Sequence, residues 1–232
     1  MRYAAPQSTR IAPCAIATCP QKKLKLSGSG RSDENPQFNC GRHPSSRVRS
    51  GLLFGRLEKL AASWWSASGG LVPWFAKSPR LSFSTNNARY EGISGKASFK
   101  RSWHEGRRCI IPAWSFDEPC WESGHNVWWT FRRNDGFPWG LAGIWNAWQN
   151  SDTGEVVESY AMLTINADSH PLMSRMHKPD PGLPHDQQDK RSVIPIELSD
   201  VDIWLNGSIE EAAALARVPS ADVFDARPAE ER

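Results

Sequence analysis

The sequence predicts an α+β fold, with an antiparallel β-barrel-like core and flanking helices. Three observations carry that expectation. Apolar, β-prone runs of strand length recur between residues 109 and 198, and short helical patterns interrupt and follow them. At 232 residues, 39% apolar and with 12 tryptophans, the chain is long enough for one domain with a real core.

The elements follow in order. Residues 1–66 read as an atypical, poorly structured or mis-framed segment, rich in Ser, Pro, Arg and Lys, in which SGSGRSDENPQ has linker composition. Within it, 52–65 has a helical face of Leu53, Leu57 and Leu60. The folded domain is expected over 67–218, followed by a tail at 219–232. GLVPWF (70–75) is strand-like until Pro73. KASFKRSWHEGRR (96–108) spaces Phe99 and Trp103 for a helix that stops near Gly106. CIIPAWSF (109–116) is a strand. NVWWTFRR (126–133) and FPWGLAGIWNAW (137–148) flank NDG and predict a hairpin. VVESYAMLTIN (156–166) is another strand, and RSVIPIEL (191–198) is a short edge strand because of Pro195. Helices are expected at 199–207, capped by Ser199 or Asp200 and stopped by Gly207, and at 208–218.

Composition narrows function. The net charge is +3, and nine of the basic residues lie in the first fifty positions against two acidic ones. The remainder is slightly acidic, so nucleic acid would be held by a local groove and not by bulk charge. No run of 18 apolar residues offers a membrane span, and no apolar h-region marks a secretory signal. The five cysteines, 14, 19, 40, 109 and 120, show no C-x-x-C spacing, which gives no zinc site and fits a reduced cytoplasm. No metal or cofactor is expected. The classical hydrolase and nucleotide motifs are missing.

STNNARYE (84–91) concentrates amides, a guanidinium and a carboxylate. It reads either as a capped helix start or as part of a polar site formed by Asn87, Arg89 and Glu91. Glu118 sits in sequence among Trp114, Phe116 and Trp121. That is either an exposed turn acid in DEP or a carboxyl whose charged form burial penalises, suited to acid–base work. His177, in MSRMHKPDP, is a structural hydrogen-bonder or a proton carrier, and His170 is a weaker candidate. Trp74 and Phe75 are core residues or stacking surfaces for bases.

Taken in order, GLVPWFAKSP, NNARYE, RRCIIPAWSFDEPCW, WGLAGIW, SYAMLTINADSHPLMSRMHKP and DKRSVIPI resemble the SRAP family, the SOS response-associated peptidases or abasic-site processing proteins. The resemblance spans about residues 69–206. It implies a compact α+β domain with a groove for single-stranded DNA, acting in the cytoplasm or on the nucleoid as a monomer. Its members capture abasic sites, where the sugar opens to an aldehyde, through a cysteine at position 2 that closes a thiazolidine. Carried over, the resemblance implies that Asn87 holds the sugar or the N-terminal residue, and that Arg89 and Arg191 contact phosphates. Glu118 would be the acid–base carboxyl, His177 would move protons during ring opening, and Trp74 and Phe75 would stack beside the lesion.

One departure qualifies these expectations. Position 2 is Arg2, and the only CGR is at Cys40, a weak candidate nucleophile about thirty residues before GLVPWF. The family's true N-terminus is therefore expected upstream or lost. A Met1 α-amine could form only a reversible Schiff base. Three functions stay open: crosslinking to abasic single-stranded DNA, thiol (auto)peptidase activity, and inert single-stranded DNA binding because the cysteine is missing.

Overall fold

The computed structural model describes the backbone of residues 10–13 and residues 68–229. Cys40, Arg2, Met1 and the expected helix at 52–65 lie outside these residues. Nine strands form one sheet: β1 (Arg10–Pro13), β2 (Ser68–Gly69), β3 (Asn87–Arg89), β4 (Arg108–Cys120), β5 (Val127–Arg133), β6 (Trp139–Gln149), β7 (Val156–Asn166), β8 (Arg191–Val193) and β9 (Phe224–Pro228). Among the described residues three short helices accompany them: α1 (Lys100–His104), α2 (Val201–Asn206) and α3 (Ile209–Ala214).

The principal strand order is β2-β7-β6-β4-β5-β9, with β1 on β4 and both β3 and β8 on β7. The α+β class and the mainly antiparallel pairing are as expected. The path ends at β2 and β9, however, so among the described residues the sheet is open and not a closed barrel. β2 and β3 both run parallel to β7.

Period-two alternation gives the sheet two buried faces. On β7, Ala161 and Leu163 enter one core cluster with Ala88, Ile144, Trp103 and Trp204, while Met162 enters the other with Phe116, Phe131 and Trp139. Helices α2 and α3 cover the first face. There the Trp204 indole donates to the Cys109 carbonyl at 2.8 Å, and Arg108 donates to the carbonyls of Trp204 and Gly207. The second face is aromatic, with Phe116 stacked on Phe131 at 5.1 Å. Each such side chain contributes about 1.5–3 kcal/mol by leaving water.

Several local expectations are corrected. The predicted hairpin does not form: β5 and β6 exist, but β4 lies between them. Residues 108–113 of this thirteen-residue strand pair with β6, and 116–120 pair with β5. The intervening turn does carry a left-handed Gly136, but Asn134 N–H donates to Val223 and not across a hairpin. GLVPWF is not a strand. Leu71 and Val72 are buried, yet their N–H groups go to Thr85 O and Ser159 Oγ. Residues 219–232 contribute β9, which pairs with β5 and buries Phe224. Within 1–66, Arg10–Pro13 pairs with β4. The helices predicted at 96–108, 199–207 and 208–218 are present but shorter. Asp200 precedes α2 without a side-chain capping bond, whereas Ser208 and Glu211 form a complete capping box on α3.

Candidate functional site

The site is built where β4, β7 and β8 meet the turn after Met173–Arg175. Glu118 lies within β4, in register with Trp129 of β5, and only 1% of it is exposed. It is therefore not an exposed turn acid. By alternation it shares the face of Phe116 and Cys120. The chain returns to this strand at Met176, which bridges Cys120, and His177 N–H donates to Pro119 O at 2.5 Å. That return brings His177 Nε2 to 3.4 Å from Glu118 Oε2.

His177 is held in an unusual conformation. Its φ is +63°, in the left-handed region that costs a non-glycine residue roughly 1–3 kcal/mol. The buried Lys190 Nζ fastens this turn by donating to Met176 O at 2.8 Å and His177 O at 2.7 Å. Burial lowers the His177 pKa to about 4, and the positive charges of Lys190 and Arg191 push the same way. A backbone hydrogen bond at Arg191 and the Asp189 charge oppose them without prevailing. The imidazole is thus neutral at pH 7. Lys190 is itself lowered by burial, with Asp168 opposing.

Around this pair runs a charged rim. STNNARYE is not a helix start: Asn87–Arg89 is β3, paired with Met162–Thr164 of β7, and a 3-10 turn follows at Tyr90–Gly92. Ala88 points into the first core cluster, so Asn87 and Arg89 share the opposite face, the face of Met162. Arg89 Nη2 lies 2.7 Å from Asp189 Oδ2, and Arg191 Nη1 lies 3.1 Å from Asp189 Oδ1. Arg191 also donates to both oxygens of Glu91 and to Thr164 O. Burial opposes ionisation of Glu91, but its bonds to Arg191 and to the Asn166 N–H hold its pKa below the usual carboxylate range.

Glu118, His177, Arg191 and Arg89 are thus joined through direct contacts and through Asp189, with Asn87 two residues before Arg89 on β3. Among the described residues, no hydrogen bond, ion pair or ring contact joins Trp74 or Phe75 to this group. They are exposed and meet edge to face at 5.7 Å, and Arg101 lies over the Trp74 ring. Their loop is tied to the far part of β6, where Asn146 donates to Val72 O and Trp148 to Ala76 O. Trp129, the register partner of Glu118, lies under Arg175, and Trp121 lies under Lys178, the residue after His177. His170 accepts the backbone N–H groups of Leu172 and Met173 and contacts Pro219 O, a structural role.

Sequence reasoning does not single out Asp189, Lys190, Trp121 or Trp129. For the first two, the sequence offers an acid followed directly by two cations in QDKRS, and their place in DKRSVIPI, a stretch of the family resemblance that assigned neither a role. A surface cavity between Pro195, Glu197, Leu215 and Arg217 is lined by none of the predicted residues. Cys109 and Cys120 are buried, and burial raises the Cys109 thiol strongly. Among the described residues there is no cluster of metal ligands and no helix long and apolar enough to cross a membrane.

Fold and site define an α+β protein in which one face of a mixed sheet presents an enclosed carboxyl–imidazole pair beside two guanidinium groups. More narrowly, the chain belongs to the SOS response associated peptidase (SRAP) family, whose model matches residues 15–231. It is 27% identical over 164 residues to the abasic site processing protein YoqW of Bacillus subtilis, covering 69% of this chain and 68% of that one. It is 27% identical over 183 residues to the abasic site processing protein HMCES of Xenopus tropicalis, covering 66% of this chain and 52% of HMCES, about half of that relative. A crystal structure from Bordetella bronchiseptica superposes with a TM-score of 0.64 at 31% identity, over 71% of this chain and 76% of that chain. One from Bacteroides thetaiotaomicron gives 0.59 at 25%, over 71% and 68%.

Proposed function

We propose that the protein binds single-stranded DNA at abasic sites and captures the ring-opened sugar aldehyde covalently. The carrying observation is the 3.4 Å approach of His177 to the enclosed Glu118, in a chain whose relatives are named abasic site processing proteins. An amine adds to the aldehyde carbon, and the resulting hydroxyl must leave as water. Glu118 supplies the proton to that departing oxygen, and the neutral imidazole of His177 takes up the proton released from nitrogen. If the amine carries a neighbouring thiol, the S–H bond then adds across C=N and closes a thiazolidine without a further leaving group. Arg89 and Arg191 hold flanking phosphates by charge-assisted hydrogen bonds. Asn87 orients the opened sugar, and Trp74 and Phe75 offer stacking surfaces further along the strand. The buried Cys109 and Cys120 are poorly suited as nucleophiles, so the amine is assigned to residues outside the described part.

The test is incubation with single-stranded DNA carrying one abasic site, followed by a denaturing gel. A heat-stable shifted band is expected. A band that needs borohydride would reduce the product to a reversible Schiff base. Binding without either band would leave only an inert module, and release of an N-terminal peptide without DNA attachment would favour the peptidase.

A further inference from the structure

We propose that Asp189 is a built-in phosphate stand-in that sets DNA affinity by occupying the two guanidinium groups of the rim. Its two carboxylate oxygens go to different arginines, Oδ2 to Arg89 at 2.7 Å and Oδ1 to Arg191 at 3.1 Å. The two non-bridging oxygens of a phosphodiester can reproduce that arrangement. The arginines are held unequally. The Arg191 side chain is 13% exposed and keeps Glu91 and Thr164 O as partners if Asp189 withdraws. The Arg89 side chain is 60% exposed, and Asp189 is its one ion-pair partner among the described residues. An exposed pair of this kind contributes about 0–1 kcal/mol, so a phosphate can displace it.

The position of Asp189 is itself constructed. Its φ is +52°, and its N–H and that of Lys190 both donate to the Asp168 carboxylate. The turn that aims Asp189 at the arginines is thereby fixed from behind. Displaced, the carboxylate still stands beside the incoming phosphate and repels it. DNA must therefore bring enough contacts elsewhere, at the opened sugar above all, to outcompete it. Asp189 therefore sets the affinity threshold: it weakens intact and lesion-bearing strands by the same factor when both use the two arginines, and an intact strand, with fewer other contacts, is the first to fall below useful binding.

This rests on the DNA-binding reading above, and the experiment separates the two. Fluorescence anisotropy would follow a labelled single strand carrying a stable tetrahydrofuran abasic analogue, and an intact strand, over a salt series. The proteins are the wild type, Asp189→Asn, Asp189→Gly and Arg89→Ala. Asn and Gly both tolerate a left-handed φ, so thermal melting should hardly change. Both Asp189 variants should bind intact DNA about 3- to 10-fold tighter at low salt, with the slope of log K against log salt steeper by up to about 0.7. Combining Arg89→Ala with Asp189→Asn should abolish the gain. If Arg89→Ala weakens binding but neither Asp189 variant strengthens it, DNA binding stands and the stand-in falls. If no protein binds DNA in an Arg89-dependent way, both fall. Unfolding of both Asp189 variants would make the residue structural and would also overturn the inference.

Discussion

The Glu118–His177 pair and the Arg89–Asp189 pair lie on the same face, are linked through Arg191, and obey different electrostatics. The first is enclosed: 1% of the Glu118 side chain and 17% of that of His177 reach solvent. The second is wet, with exposures of 60% and 40%. Where water is excluded, protonation responds to burial, and salt screens little. Where water enters, charges are screened, and a pair exchanges partners at small cost. Proton chemistry therefore belongs to the first pair and phosphate contact to the second.

The largest expected effect breaks the enclosed half. Glu118→Gln should slow crosslinking to an abasic strand roughly 10²- to 10⁴-fold, the usual span for a positioned acid, as followed by gel time courses. Lys190→Met comes next. It leaves the carbonyls of Met176 and His177 without their donor and should cost about 3 kcal/mol in urea denaturation.

A third test uses pH. Because the folded pKa of His177 is near 4 and the unfolded value near ~6.5, the unfolded chain binds the extra proton between those limits. Stability from this group is present above pH ~6.5 and is lost as pH falls towards 4. His177→Asn keeps a side chain suited to φ +63° and should remove up to about 3 kcal/mol of that pH dependence. The smallest effect belongs to the wet half. Arg89→Ala should change folding stability by less than ~0.5 kcal/mol while flattening the salt dependence of DNA binding by up to about 0.7.

How far the sequence disclosed this arrangement depended on the range of the interactions. β7 is a β-prone run of strand length, and α3 carries its own capping box, so both were legible. The β5–β6 hairpin was not. Its turn residues are real, but β4 is long enough to serve β5 with one half and β6 with the other, which no local turn signal reveals. At the site, residue types pointed to Glu118, His177 and Arg89, and Arg191 entered only through the family resemblance. Glu118 is buried only once β5 and the returning Met176–His177 segment flank its part of β4, and the position of His177 depends on Lys190, the residue before β8. The part played by Asp189 is visible only once β3 and β8 both pair with β7 and bring Arg89 and Arg191 to its carboxylate.

The most direct measurement separates binding from chemistry in one pair of proteins. For wild type and Glu118→Gln, the dissociation constant is taken with the tetrahydrofuran strand and the single-turnover crosslinking rate with the abasic strand. The account predicts affinities within about 3-fold of each other and a rate at least ~10²-fold lower in the variant. Equal crosslinking rates at equal affinity would contradict it.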